Sequence, residues 1–206
     1  MNGNFDFESK TAVFWGEIAP SEHVATFYED DEVLLDTLSG FVGGGLKVGD
    51  AAIVIATSSH LKALSDRLKG DGIDVGAAES QDQYIPLNAE EALAKFMVKQ
   101  WPDDELFAAL VTELIARASR NDRRVRAFGE MVALLWARGD QAATVRLEYL
   151  WNKLCRSQAF SLFCAYPKAG FTQDTADSLN DILPHIPEFF EGLPTPMRQL
   201  NHNQAY

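Results

Sequence analysis

Between residues 125 and 167 the chain reads VRAFGEMVALLWARGDQAATVRLEYLWNKLCRSQAFSLFCAYP, and this stretch decides the fold. Val125, Ala127 and Phe128 form a short apolar strand with Gly129 and Glu130 at its carboxyl end. Met131, Leu134, Leu135 and Trp136 then follow helical spacing, until Gly139-Asp140 closes one helix and opens another. Ala143, Leu147, Leu150, Trp151 and Leu154 recur at the 3.6-residue period of an amphipathic helix. Residues 160–166 are apolar nearly throughout, as a strand covered on both faces should be. Two buried strands bracketing a helical pair define an α/β core. Open sheets of that kind bind ligands beyond the carboxyl ends of their strands, and Glu130 and Tyr166 fall at such ends.

The rest of the chain extends the same alternation. Residues 23–28 (HVATFY) read as a strand and are followed by the acidic turn Glu29-Asp30-Asp31-Glu32. Leu34, Leu38, Phe41 and Gly45 mark one face of the next helix, with Asp30 or Asp31 placed to cap its positive end. Glycines 43–45 are expected to weaken the end of that helix, ahead of a turn at Gly49-Asp50 and a strand over residues 51–56. Thr57, Ser58 or Ser59 can cap a helix carrying Leu61, Leu64 and Leu68. A short strand is expected near Tyr84-Ile85. Helices follow from the Asn88 cap and from Pro102-Asp103. The expectation is a three-layer α/β domain, a mostly parallel sheet flanked by helices, over residues 21–183. An N-terminal extension (1–20), rich in Phe5, Phe7, Phe14 and Trp15, precedes it, and a proline-broken tail (184–206) follows, with a short helix before it near residues 175–183.

Composition narrows the function. With 206 residues, 47% hydrophobic content and a net charge of −12, the chain reads as globular and ill suited to nucleic-acid backbone or anionic lipid. The basic cluster Arg120, Arg123, Arg124 and Arg126 reads as a solvated turn before a strand. Two cysteines, Cys155 and Cys164, lack metal-type spacing and read as free thiols in a reducing compartment. No signal peptide and no apolar run of the roughly 18–20 residues that span a membrane is evident. A cytoplasmic location is the expectation.

Candidate chemistry is sparse. The glycine-rich run GFVGGGLKVGD (40–50) is no P-loop: Leu46 separates Gly45 from Lys47, no hydroxyl follows the lysine, and the run falls at a helix C-terminus, where the dipole repels anions. It reads as a helix stop. The EDDE turn occupies the place where an α/β nucleotide-binding fold holds phosphate; capping is the stronger reading there, ahead of binding a hard cation. Glu130 is open to two readings, a ligand-orienting carboxylate or an acid favoured by the helix N-terminus. Glu148 and Asn152, one turn apart, could pair with Arg138 or hold a loop. His23, beginning a strand, reads first as a structural hydrogen-bonder. No Ser/His/Asp, Cys/His, HExxH or CxxC pattern is present, so neither catalysis nor a metal or cofactor is expected.

Two sets of residues carry a family likeness. One runs His23-x3-Phe27-Tyr28-Glu29-Asp30, Phe41-x3-Gly45-Leu46-x2-Gly49-Asp50 and Thr57-x2-His60. The other runs Phe128-Gly129-Glu130-Met131-x3-Leu135-Trp136-x2-Gly139, Leu147-Glu148-x2-Trp151-Asn152 and Phe160-Ser161-Leu162-x-Cys164-Ala165-Tyr166-Pro167. The chain thereby resembles the MEDS domain, the methanogen/methylotroph, DcmR-type sensory domain, over roughly residues 20–170. That family is similar to RecA/KaiC-type ATPase domains in strand–helix order. The resemblance places Tyr28 to Glu32 where a P-loop would stand, with none of its Gly, Lys or Ser/Thr. It implies a non-catalytic sensory or regulatory role within signalling systems, with small hydrocarbon derivatives proposed as ligands. Matching positions are His23, Tyr28, Glu130, Trp136, Glu148, Asn152, Cys164 and Tyr166.

The expectation is therefore a small organic ligand held at the carboxyl edge of the sheet by His23, Tyr28, Glu130, Trp136, Glu148 and Tyr166. The signal would pass to a signalling protein such as a histidine kinase or transcriptional regulator. No helix-turn-helix or kinase module is expected alongside, and homo-oligomerisation is left open. The competing expectation is a ligand-free interaction adaptor on a pseudo-ATPase fold.

Overall fold

The computed structural model describes residues 21–168 and the backbone of residues 188–190. In chain order the strands are β1 (His23–Tyr28), β2 (Ala51–Ala56), β3 (Tyr84–Asn88), β4 (Met97–Val98), β5 (Trp101–Pro102), β6 (Val125–Gly129), β7 (Ser161–Pro167) and β8 (Glu188–Phe190). The helices are α1 (Asp31–Lys47), α2 (Ser58–Gly70), α3 (Val75–Ser80), α4 (Ala89–Phe96), α5 (Asp104–Ala118), α6 (Met131–Ala137) and α7 (Gln141–Gln158). Six strands form one sheet in the order β3-β2-β6-β7-β1-β8, and every pairing is parallel. The antiparallel pair β4–β5 stands apart from it.

Strand periodicity divides the core into two layers. On one face, Val24, Ala52, Val54, Phe128, Phe163 and Ala165 pack against Leu34, Leu38 and Phe41 of α1, Leu64 and Leu68 of α2, and Val75 of α3. On the other, Ala25, Phe27, Ile53, Ile55, Ala127, Leu162 and Tyr166 meet Phe96 of α4, Phe107 of α5, Met131 and Leu135 of α6, and Leu147 and Trp151 of α7. Connections that move toward β3 lie on the first face and those that move from β3 toward β7 lie on the second. A constant crossover hand demands this arrangement. The expected three-layer, mostly parallel α/β architecture is the one observed.

Local chemistry explains the boundaries. The Asp30 carboxylate accepts from Val33 N–H at 2.9 Å to cap α1, Thr57 caps α2, Asn88 caps α4 through Glu90 and Glu91 N–H, and Asp103 caps α5. Pro86 is tolerated because β3 is an edge strand.

The structure departs from the sequence reading at four places. Glycines 43–45 do not end a helix: α1 continues through them to Lys47, and the chain turns at Gly49, φ 89°. Their smallness serves packing. A Cβ on Gly45 would come 2.7 Å from Arg126 Cδ and Nε, and one on Gly43 would come 3.2 Å from Leu68. Second, Arg126 is buried rather than solvated. Its guanidinium meets Asp50 at 2.9 Å, donates to the Phe41 carbonyl at 3.2 Å and lies 5.7 Å from the centre of the Phe41 ring. Arg117 and Arg120 pair with Asp82, and Arg124 with Asp50, while Arg123 donates to the Arg120 and Gln81 carbonyls, so the basic cluster is held by acids and backbone carbonyls. Third, residues 73–83 contain the extra helix α3, six residues whose small Val-Gly-Ala-Ala run carries too little periodicity to read. Fourth, Glu148 does not pair with Arg138, which instead bonds Glu90.

Two elements had no counterpart in the sequence reading. The β4–β5 turn places Lys99 and Gln100 at positive φ, as a tight two-residue hairpin requires. Within the expected tail, residues 188–190 add β8 to the outer side of β1, with Ala25 opposite Phe189. The N-terminal extension and the helix expected near residues 175–183 lie outside the described residues.

Candidate functional site

The direction of the connections reverses between β2 and β6. From the end of β2 the chain turns onto one face as α2; from the end of its neighbour β6 it turns onto the other as α6. The two loops thus leave the carboxyl edge of the sheet on opposite faces, and doubly wound folds bind ligands in the crevice at such a switch point. Glu130, the residue that follows β6, occupies it.

Glu130 is 4% exposed. Its carboxylate accepts from Thr57 N–H at 2.8 Å through Oε2 and meets His60 Nδ1 at 2.9 Å through Oε1. Its own N–H donates to the Ile55 carbonyl at 2.9 Å, which ties the two loops together by backbone as well. His60 is clasped from the other side, with Nε2 3.4 Å from Asp31 Oδ1 at the start of α1. The hydrogen bond His60 makes to the Glu130 carboxylate raises the His60 pKa above its ordinary value; burial opposes this, and the Glu130 and Asp31 charges add to it. Tyr28, at the end of β1, is buried, and its phenol is pushed well up by burial and then by the Glu130 and Asp31 charges. The crevice thus gathers one buried carboxylate, one imidazole that protonates readily, one neutral phenol and the first turn of α2. The carboxylate has spare lone pairs beyond its two bonds. Such a group can accept from a hydroxyl or ammonium of a small molecule.

The remaining candidates lie elsewhere. His23, Glu148, Cys164 and Tyr166 form a second cluster beneath α7, on the face opposite α1, and each is at most 1% exposed. The Tyr166 hydroxyl donates to Glu148 Oε1. The Cys164 thiol lies 3.8 Å from Glu148 Oε2, and His23 Nε2 lies 3.3 Å from that same oxygen without hydrogen-bond alignment. Burial, and then the Glu148 charge, push the thiol of Cys164 and the phenol of Tyr166 well up. Trp136 is buried in the core of the same face with Leu135 and Leu147. The six expected residues therefore divide: Tyr28 and Glu130 share the crevice, His23, Glu148 and Tyr166 share the inner cluster, and Trp136 stands in the apolar core. The strand register keeps the groups close, because Gly129, the neighbour of Glu130, is paired with Cys164.

Thr57 and His60 were not singled out as site residues, although the spacing Thr57-x2-His60 was visible. The spacing puts a helix cap and a first-turn side chain on one loop; what it lacks is the partner, 70 residues away. The acidic turn serves its helix and its neighbours. Asp30 caps α1, Glu32 and Asp36 bond Arg67, and Glu29 meets Lys168 at 3.0 Å. None of the helices among the described residues is long and apolar enough to cross a membrane.

A protein of Pyrococcus horikoshii OT3, solved in a structural study, superposes with a TM-score of 0.56 over 88% of this chain and 86% of its own, at 12% sequence identity. That likeness concerns the fold alone. No curated protein sequence matches the chain. The family model for MEDS, the methanogen/methylotroph, DcmR sensory domain, matches residues 22–181, which take in both the crevice and the inner cluster. The chain belongs to the MEDS family of sensory domains.

Proposed function

We propose that this chain is a non-catalytic sensory domain whose carboxyl-edge crevice holds a small organic ligand, and that occupancy is relayed to a signalling protein such as a histidine kinase or transcriptional regulator. The observation that carries this reading is the buried Glu130 carboxylate, held by Thr57 N–H and His60 at the point where the α2 and α6 loops part. A charge taken out of water needs compensation. Here it receives partners from Thr57 and His60 and has acceptor capacity beyond those two bonds. Tyr28 stands near Glu130 at the end of β1, and the Tyr166–Glu148 hydrogen bond ties β7 to α7.

The relay follows from the same contacts. Glu130 joins α6 to α2, and His60 joins α2 to α1, so a ligand that takes over one bond of Glu130 or His60 alters three helix starts together. A ligand shifts a conformational equilibrium by its difference in affinity for the two states. The fold reading that goes with this proposal is a RecA/KaiC-like domain without nucleotide chemistry. It is supported by carboxylates standing at the end of β1, where phosphate would be repelled.

The test is thermal unfolding of wild type and Glu130→Gln against a panel of short-chain alcohols, ketones, amines and carboxylates. The reading expects at least one class to raise the wild-type midpoint and to lose that effect in the variant. A compound that stabilises both proteins equally places the ligand elsewhere and overturns the assignment.

A further inference from the structure

We propose that His23, Glu148 and Cys164 form a buried site for a divalent transition metal of the zinc class. The site is separate from the crevice. Its three donors come from the start of β1, the middle of α7 and the centre of β7, and their ligand atoms all lie within 4.8 Å of one another.

The spacing of the donors fits such a metal. A tetrahedral metal with bonds of about 2.0–2.3 Å keeps its donors roughly 3.3–3.8 Å apart. His23 Nε2 lies 3.3 Å from Glu148 Oε2, and Cys164 Sγ lies 3.8 Å from that same oxygen. One carboxylate oxygen therefore converges with the imidazole and the thiol. The other oxygen, Oε1, is taken by the Tyr166 hydroxyl. Ligating carboxylates are characteristically held in this way by an outer hydrogen bond that fixes their orientation.

His23 bears on the site independently. It is 0% exposed, yet neither ring nitrogen has an aligned hydrogen-bond partner among the described residues. Buried polar atoms ordinarily find partners. Here Nε2 lies beside the same Glu148 oxygen that Cys164 approaches, where a metal bound to Glu148 and Cys164 would sit. The donor set of one imidazole nitrogen, one carboxylate oxygen and one sulfur suits a borderline cation rather than magnesium or calcium, which take oxygen alone. Binding forms a metal–sulfur bond as the thiol proton is released to solvent. Three protein donors leave one tetrahedral position for water or a small donor molecule. The sequence hides this site because His23 precedes its partners by most of the domain and no short spacing links the other two.

The other thiol provides a control. Cys155 donates to the Phe160 carbonyl at 2.9 Å and is not among the three donors. Because the donors are buried, metal is loaded by refolding the full chain from denaturant with Co2+, a spectroscopic stand-in for Zn2+. Wild type and Cys155→Ser are expected to show a near-ultraviolet sulfur-to-cobalt charge-transfer band that saturates at one Co2+ per chain. Cys164→Ser is expected to lose it. Cobalt held only by tail histidines such as His202 gives no such band, so its absence in wild type overturns the proposal, as does its persistence in Cys164→Ser. Should Cys164→Ser fail to fold, His23→Gln keeps the thiol and is expected to weaken Co2+ at least tenfold; unchanged affinity in that variant also overturns the site.

Discussion

Across 70 residues of sequence, His60 Nδ1 meets Glu130 Oε1 at 2.9 Å, and this contact bridges the starts of α2 and α6. The same carboxylate accepts from the Thr57 backbone through its other oxygen. A single side chain thus holds two helix starts in register, and two consequences can be measured.

Replacing Glu130 by Gln keeps the shape and removes the charge. The amide cannot hold imidazolium, so the His60 pKa should fall toward its ordinary value, read from the ring proton shifts in an NMR titration. Stability should drop by about 1–3 kcal/mol in urea denaturation, the cost of upsetting a buried hydrogen-bonded charge. An unmoved His60 titration would show that Glu130 is not its main partner.

Stability should also depend on pH through His60. Its folded-state pKa is raised above the unfolded value of 6.5, so the folded state binds this proton more tightly. The stabilisation is fully present below about pH 6.5 and is lost as pH rises through the raised folded value. Urea midpoints of wild type should fall across that window relative to those of His60→Gln, in which this slope should vanish. Parallel profiles for the two proteins would contradict the assignment.

Much of this architecture was legible beforehand. The strands around Phe128 and Phe163 and the stripe of Leu147, Leu150 and Trp151 repeat at short range, and local period is what sequence displays. The Asn88 cap was readable for the same reason, and the caps at Asp30, Thr57 and Asp103 were readable to within two residues. Glu130 could be placed at a strand end but not assigned a partner, because pairing across 70 residues depends on sheet order, which no local pattern encodes. Gly45 shows the converse. Read alone it resembles a helix stop; only the arrival of Arg126 from β6 explains why a side chain is excluded there.

That close approach gives a third expectation. In Gly45→Ala the new Cβ would press on the aliphatic end of Arg126, which is fixed by Asp50 and the Phe41 carbonyl. Overpacking of this kind costs about 1–3 kcal/mol. Arg126→Met should cost more, about 3–5 kcal/mol, since it leaves Asp50 buried and short of its main partner. Chemical denaturation of both variants tests the order, and a neutral Arg126→Met would show that the ion pair contributes little.

Trp151 anchors the other face. It stacks edge-on against Phe107 at 5.0 Å, and its ring would lie 3.4 Å from a Cβ on Gly129. Trp151→Ala should cost about 3–5 kcal/mol through the cavity it leaves. Gly129→Ala should perturb Trp151 fluorescence with a smaller loss. If neither loss nor spectral change occurs, α7 does not seat on β6 as described.

The most direct measurement of the sensory reading is native mass spectrometry of wild type and Glu130→Gln, purified gently and sprayed side by side. The account expects a discrete small-molecule mass on wild type that is lost on denaturation and is absent or much reduced on the variant. Equal adducts on both proteins, or a bare chain mass on wild type that no class in the small-molecule panel stabilises, would contradict it.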